Sequence, residues 1–191
     1  MLRAFVTACA VACSIAALSV PSSAQEIIHA LTGTVSQIDN GAKTITIFQD
    51  SGSGGVVYQQ LSNPKTRIAF DKRIQPETTA AAQFDKQGAY VIVFYFGGDN
   101  NRTAVAIESL GAGPFQSTNG TVTRYDGRGH TMTIQDESGK TLSFKIIDKT
   151  VAETGMGAVD GASFRAEKGD RVRIVSSTVD GEATALFVRQ M

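Results

Sequence analysis

Gly33-Thr34-Val35, Asp39, Thr44-Ile45-Thr46-Ile47 and Asp50-Ser51-Gly52 return later in the chain as Gly120-Thr121-Val122, Asp126, Thr131-Met132-Thr133-Ile134 and Glu137-Ser138-Gly139. Each pair is separated by 87 residues, as in Gly33 to Gly120. Solenoid and propeller units repeat every roughly 20–50 residues, so a period this long marks a duplicated domain. Thr44-Ile45-Thr46-Ile47 alternates strictly, which places Ile45 and Ile47 on one face of a strand. Asp39-Asn40-Gly41 before it is a hairpin turn signal.

Working outward, each half reads as strands joined by turns. The first offers an opening strand from Leu31, then Thr44–Ile47, Val56–Leu61 (with Thr66–Phe70 extending or following it), Ala89–Phe96 and Thr103–Leu110. Pro76–Phe84 is the one segment with a short-helix pattern, its proline suited to a first turn. The second half repeats the order as Gly120–Tyr125, Thr131–Gln135, Thr141–Ile147, an irregular Gly-rich crossing from Gly155 to Ser163, Arg171–Ser176 and Ala183–Arg189. Three strands, a crossing and two strands is the order of a five-stranded oligomer-binding (OB) barrel. An SH3-like barrel or a small sandwich would give similar spacing. The expected architecture is all-β: two tandem OB-like barrels, 25–110 and 120–191, joined by a linker at 111–119, with a short helix in the first.

At the N-terminus, Arg3 precedes an apolar run from Ala4 to Val20, and Ser22 and Ala24 stand at −3 and −1 of a cut before Gln25. That pattern predicts a secretory signal peptide over 1–24 and a periplasmic or secreted mature chain without a transmembrane segment. Val6-Thr7-Ala8-Cys9 has lipobox residue types but falls too early. Cys9 and Cys13 both lie in the signal segment, so the mature chain lacks disulfides, thiolate metal sites and a cysteine nucleophile. Removing Arg3 leaves 17 basic against 18 acidic residues, a net charge of −1, which makes neither a polyanion nor an anionic membrane an obvious partner. No nucleic-acid role is expected.

The Gly-x-Val opening, the following Asp, the Thr-Ile-Thr-Ile strand, the Gly169-Asp170 turn before a Val-rich strand and the closing Thr-Ala strand resemble an uncharacterised family of secreted bacterial β-barrel domains. The resemblance spans nearly all of the mature chain, rests on short structural motifs and brings no chemistry to any residue. The opening pattern is also similar to the periplasmic copper-binding barrel of the Cus efflux system, which implies copper held by a histidine and two methionines beside a tryptophan. Tryptophan is absent here, and no closely spaced methionine pair follows the third strand. That similarity speaks for the fold and against the metal.

The candidate chemistry is sparse. His130 and Met132 lie two apart on one strand, with Met156 as a third soft ligand, a set suited to Cu(I). Met132 replaces the core position Ile45, however, and His130 the solvated Lys43, so a buried methionine and an exposed histidine is the structural alternative. Asp39 and Asp126 are matched carboxylates that fit turn bracing better than acid–base work. With His29 and His130 the only histidines, no Ser-His-Asp motif can be argued. A carboxylate-based hydrolase would require clustered buried acids in a cleft.

The strongest anomaly is in the fourth strand. Aligning Gly88 with Gly169 pairs Val91 with Val172 and Val93 with Ile174. On the other face the first half carries Tyr90, Ile92, Phe94 and Phe96, where the second carries Arg171, Arg173, Val175 and Ser177. Such a stripe is either an interdomain surface or a site for an external partner. The expectation is an exported, non-enzymatic tandem barrel without a cofactor, serving as a binding or assembly module for an envelope protein or ligand. The alternative is a periplasmic copper-binding protein.

Overall fold

The computed structural model describes residues 26–50, 52, 54–61, 77–99 and 101–191. The expected signal segment 1–24, the Thr66–Phe70 strand extension and Pro76 lie outside the described residues. Twelve strands are present among them: β1 (His29–Asp39), β2 (Thr44–Gln49), β3 (Gly55–Gln60), β4 (Thr79–Ala80), β5 (Tyr90–Phe96), β6 (Thr103–Ser109), β7 (Gln116–Asp126), β8 (Thr131–Asp136), β9 (Thr141–Thr154), β10 (Gly157–Asp160), β11 (Arg171–Val179) and β12 (Glu182–Gln190).

They form two separate six-stranded sheets, each closed on itself. In the first the order is β3-β2-β1-β5-β6, and β3 returns to β6 in parallel through Gln59 opposite Thr103. In the second it is β9-β8-β7-β11-β12, with β12 parallel to β9 from Thr184 opposite Lys145 to Arg189 opposite Glu153. Antiparallel neighbours closed by one parallel pair of third and fifth strands is the OB-type barrel. Closure removes the open edges that a sheet this small would otherwise expose.

Alternation supplies each core. Leu31, Val35, Ile45, Ile47, Val91, Val93 and Ile107 fill the first barrel, with Ala81 and Phe84 against them. Val122, Met132, Ile134, Phe144, Ile146, Val172, Ile174 and Val188 fill the second, with Phe164 in support. The duplication extends to irregularities. Both first strands bulge, at Ser36 and at Thr123, and the bulged hydroxyls donate to the carbonyls of Thr46 (3.2 Å) and Thr133 (3.1 Å). Gly88 and Gly169 both adopt positive φ, and their N–H groups donate to Val35 and Val122 at 2.8 Å. Asp39 Oδ1 accepts the Ala42 N–H, and Asp126 Oδ1 accepts those of Arg128 and Gly129, so both aspartates brace turns.

Three local expectations change. Within 76–84 the described residues hold the 3-10 turn Ala81–Gln83, while Thr79 and Ala80 pair with Ile107 and Ala106 of β6. The free edge of β6 captures a segment whose Ala80 is extended (φ −55°, ψ 136°). The crossing expected to be irregular from Gly155 to Ser163 contains β10, folded back on an extended β9. The linker expected over 111–119 is shorter, because Gln116–Asn119 already pair with Ser176–Arg173 of β11.

Gly33 and Gly120 are glycine because the neighbouring strand passes over them. A Cβ on Gly33 would stand 2.2 Å from the Phe48 carbonyl oxygen, and on Gly120 2.6 Å from that of Gln135. Since backbone must give way, Gly33→Ala should cost ~1–3 kcal/mol of unfolding free energy by urea titration, the range of overpacking. An unchanged midpoint would contradict this close approach.

Candidate functional site

Strand β5 is covered on both faces. Val91 and Val93 face the first barrel's core, and Ile92 and Phe94, both 0% exposed, enter a third cluster with Val151, Val175 and Phe187 of the second barrel. Ile28, Ala30 and Ala106 complete that cluster, and Tyr90, Phe96, Leu110 and Phe115 pack partly buried around it. Val175 and Phe187 occupy the places of Phe94 and Ala106 in the duplicate, 81 residues on. The large side chain therefore sits on the fourth strand of one barrel and the fifth of the other. Both pairs of strands bulge at this point, between Phe94 and Tyr95 and between Val175 and Ser176.

Polar groups from both barrels rim this seam. Glu153 of β9 is 9% exposed; His29 Nδ1 lies 2.6 Å from its Oε1, and the Ala30 N–H donates to its Oε2 at 2.7 Å. Burial pushes the Glu153 carboxyl up, opposed by the hydrogen bonds from His29 and Ala30 and by the Arg189 charge. The Ala158 N–H donates to the Ile28 carbonyl at 2.7 Å. Gly157 permits that approach: it has φ +104°, and a Cβ there would lie 2.6 Å from the same carbonyl oxygen. Beside Glu153, Arg102 lies over the rings of Tyr95 and Tyr58, with centroids at 5.3 and 5.9 Å, and pairs with Asp99 at 2.5 Å. His29, Tyr95, Arg102, Glu153 and Arg189 thus line one open recess between the barrels. Sequence reasoning missed this group, because Glu153 belongs to a strand expected to end at Ile147.

On the other side of the seam, the Tyr90 hydroxyl donates to Asp50, which also accepts from Thr32 Oγ1 at 2.7 Å. The Tyr90 ring stacks on Phe115 at 5.0 Å. Burial, with the hydrogen bond to Asp50, pushes the Tyr90 phenol far above its ordinary range.

The three candidate metal ligands fall in three different environments. Met132 is 0% exposed within the second barrel's core. His130 is exposed at positive φ (50°) in the β7–β8 turn, matching Lys43 (54°) in the first barrel. Met156 is 86% exposed at the tip of the β9–β10 hairpin. A thioether sealed in a core does not share a coordination sphere with one standing in solvent. No group of three His, Cys, Asp or Glu able to hold a metal occurs among the described residues.

The outer face of β2 and β3 differs between the barrels. In the first, Phe48 and Val57 are 54% and 55% exposed. Phe48 lies opposite Gly55, where a Cβ would stand 2.8 Å from the Thr46 methyl group and 3.9 Å from the Phe48 ring. The corresponding positions of the second barrel are Gln135 and Ser143, and Ser143 Oγ lies 3.0 Å from Thr133 Oγ1.

No protein-family model and no curated protein matches the chain. Among solved structures it is similar to apo-CusF, residues 6–88, from Escherichia coli, with a TM-score of 0.33 and 16% identity over 44% of this chain and 94% of that one. No helix among the described residues is long and apolar enough to cross a membrane.

Glu108 on β6 makes the seam sensitive to pH. Burial pushes its carboxyl up to about 7, aided by the Glu77 charge and opposed by Lys149, which itself pairs with Glu77 at 2.8 Å. The folded state therefore holds this proton more tightly than the unfolded chain, and the resulting stability is lost as pH rises through about 7. Glu108→Gln should raise Tm by a few degrees at about pH 8 and leave it nearly unchanged at about pH 4. An equal shift at both pH values would contradict this.

Proposed function

We propose that the mature chain is a non-enzymatic, two-barrel binding module of the cell envelope, and that it engages its partner with the outer β2–β3 face of the first barrel. The observation that carries the reading is the divergence of that face. One barrel presents Phe48 and Val57 to water where its duplicate presents Gln135 and Ser143. Apolar side chains on neighbouring exposed strands, present in one copy only, supply the kind of surface that an apolar contact with a partner uses. In OB barrels generally, the face of strands two and three is the surface that binds.

The buried acids support a binding rather than a catalytic reading. Glu153 is committed to His29 and Ala30, and Asp160 Oδ1 accepts the Ser163 N–H at 2.7 Å. Glu153 and Asp160 do not meet as a pair of free carboxylates, the arrangement that acid–base hydrolysis uses, and beside Glu108 the Glu77 carboxylate is taken up by Lys149. The placement in the envelope rests on the Arg3, Ala4–Val20 and Ser22-Ser23-Ala24 pattern.

A photo-crosslinking residue placed at position 48, and separately at position 135, tests this in intact cells producing the exported chain. A discrete adduct from position 48 and none from position 135 is expected. No adduct at 48, or the same adducts from both positions, would overturn the assignment.

A further inference from the structure

Three arginines converge at one end of the second barrel, at a place independent of the β2–β3 face. Arg124 comes from β7, Arg128 from the β7–β8 turn and Arg165 from the segment after β10; with Tyr125, Asp126 and Gly127 they line an open recess. None of the three is ion-paired to a carboxylate within 4.0 Å among the described residues. In a mature chain with 17 basic and 18 acidic residues, three guanidinium groups without an ion-pair partner around one depression require a reason.

Their setting is prepared. Arg165 Nη1 donates to the carbonyls of Ala162 (2.9 Å) and Phe164 (2.5 Å), which fixes the guanidinium against backbone. Its Nε and Nη2 have no protein acceptor among the described residues. The anchoring carbonyl of Phe164 also accepts the Tyr125 hydroxyl at 2.8 Å, and the Tyr125 ring meets that of Phe164 edge-on at 5.7 Å. Arg128 is carried by a turn that Asp126 braces through Oδ1. Asp126 is the one acid lining the recess, and the turn N–H groups hold its carboxyl below the ordinary range, so it stays ionised and the recess keeps a surplus of two positive charges.

The duplication supplies an internal control. Eighty-seven residues earlier, Gln37 and Gly41 stand where Arg124 and Arg128 do. The turn-bracing aspartate is common to both barrels, and the arginines belong to one. Turn geometry therefore does not call for them.

We propose that Arg124, Arg128 and Arg165 form a binding site for a phosphate group. A phosphomonoester carries about −1.5 to −2 charges at neutral pH and three terminal oxygens, which matches a surplus of two and donors approaching from three elements. Guanidinium forks fit such oxygens in bidentate fashion. A single carboxylate would leave most of the donors unused. The group could be supplied by a lipid headgroup or by a free phosphorylated solute.

The test uses the mature full-length chain. Glycerol phosphate is titrated calorimetrically for the soluble source. Sedimentation with phosphatidylcholine vesicles, with and without phosphatidic acid, reports the lipid source. Arg128→Gln and Arg124→Gln, both at exposed positions, should each weaken whichever binding is seen by about tenfold or more without altering Tm. Arg171→Gln, exposed on β11 and outside the recess, should leave it unchanged. Saturable binding of either probe with that pattern of variants supports the site, and the probe that binds identifies the source. Absence of binding to both probes, or equal losses in Arg171→Gln and Arg128→Gln, would overturn it.

Discussion

The constraint on which the rest of the structure depends is the burial of one barrel's flank against the other. A five-stranded barrel of this size has a small interior, and its fourth strand normally faces water on the outside. Here Ile92 and Phe94 leave the first barrel and are sealed by Val151, Val175 and Phe187 of the second. The duplicate carries valine on its fourth strand and phenylalanine on its fifth, so the two flanks that share this cluster are not copies of one another. The matched bulges beside Phe94 and Val175 bend both flanks at the contact.

The seam also explains where polar chemistry accumulates. Once the flanks are joined, Glu153 is drawn to the edge of an apolar cluster and is held by His29 and the Ala30 N–H. Glu108, Glu77 and Lys149 gather at another edge, where loss of water raises the Glu108 carboxyl. These groups orient the barrels. The two proposed binding surfaces lie where the copies have diverged without help to the seam: Phe48 and Val57 in the first barrel, the three arginines in the second. A duplicated fold separates the two kinds of residue, because whatever both copies share serves the barrel.

Much of the architecture was legible from the repeat. Strict alternation in Thr44–Ile47 and Thr131–Ile134 placed Ile45, Ile47, Met132 and Ile134 inside, and Asp39 and Asp126 read as turn braces. The anomaly of Tyr90, Ile92, Phe94 and Phe96 directed attention to the strand that lies in the seam. What escaped was set by contacts distant in sequence. The Pro76–Phe84 segment has helix-compatible composition, yet the edge of β6 claims Thr79 and Ala80. The β9–β10 hairpin is stabilised partly by Ile28, about 130 residues earlier, which no local pattern reports. Glu153 carries no signal of its own until that hairpin is in place. The arginine recess was hidden for the same reason, since Arg165 joins Arg124 and Arg128 only through the crossing.

Native-state hydrogen exchange in rising urea tests the central claim most directly, following the amides of Val93 in the first barrel and Ile174 in the second. If the shared cluster makes the two barrels one cooperative unit, both amides should converge on a single opening free energy with a common urea dependence. Separate limits, with one barrel exchanging through a much cheaper opening while the other stays protected, would contradict it.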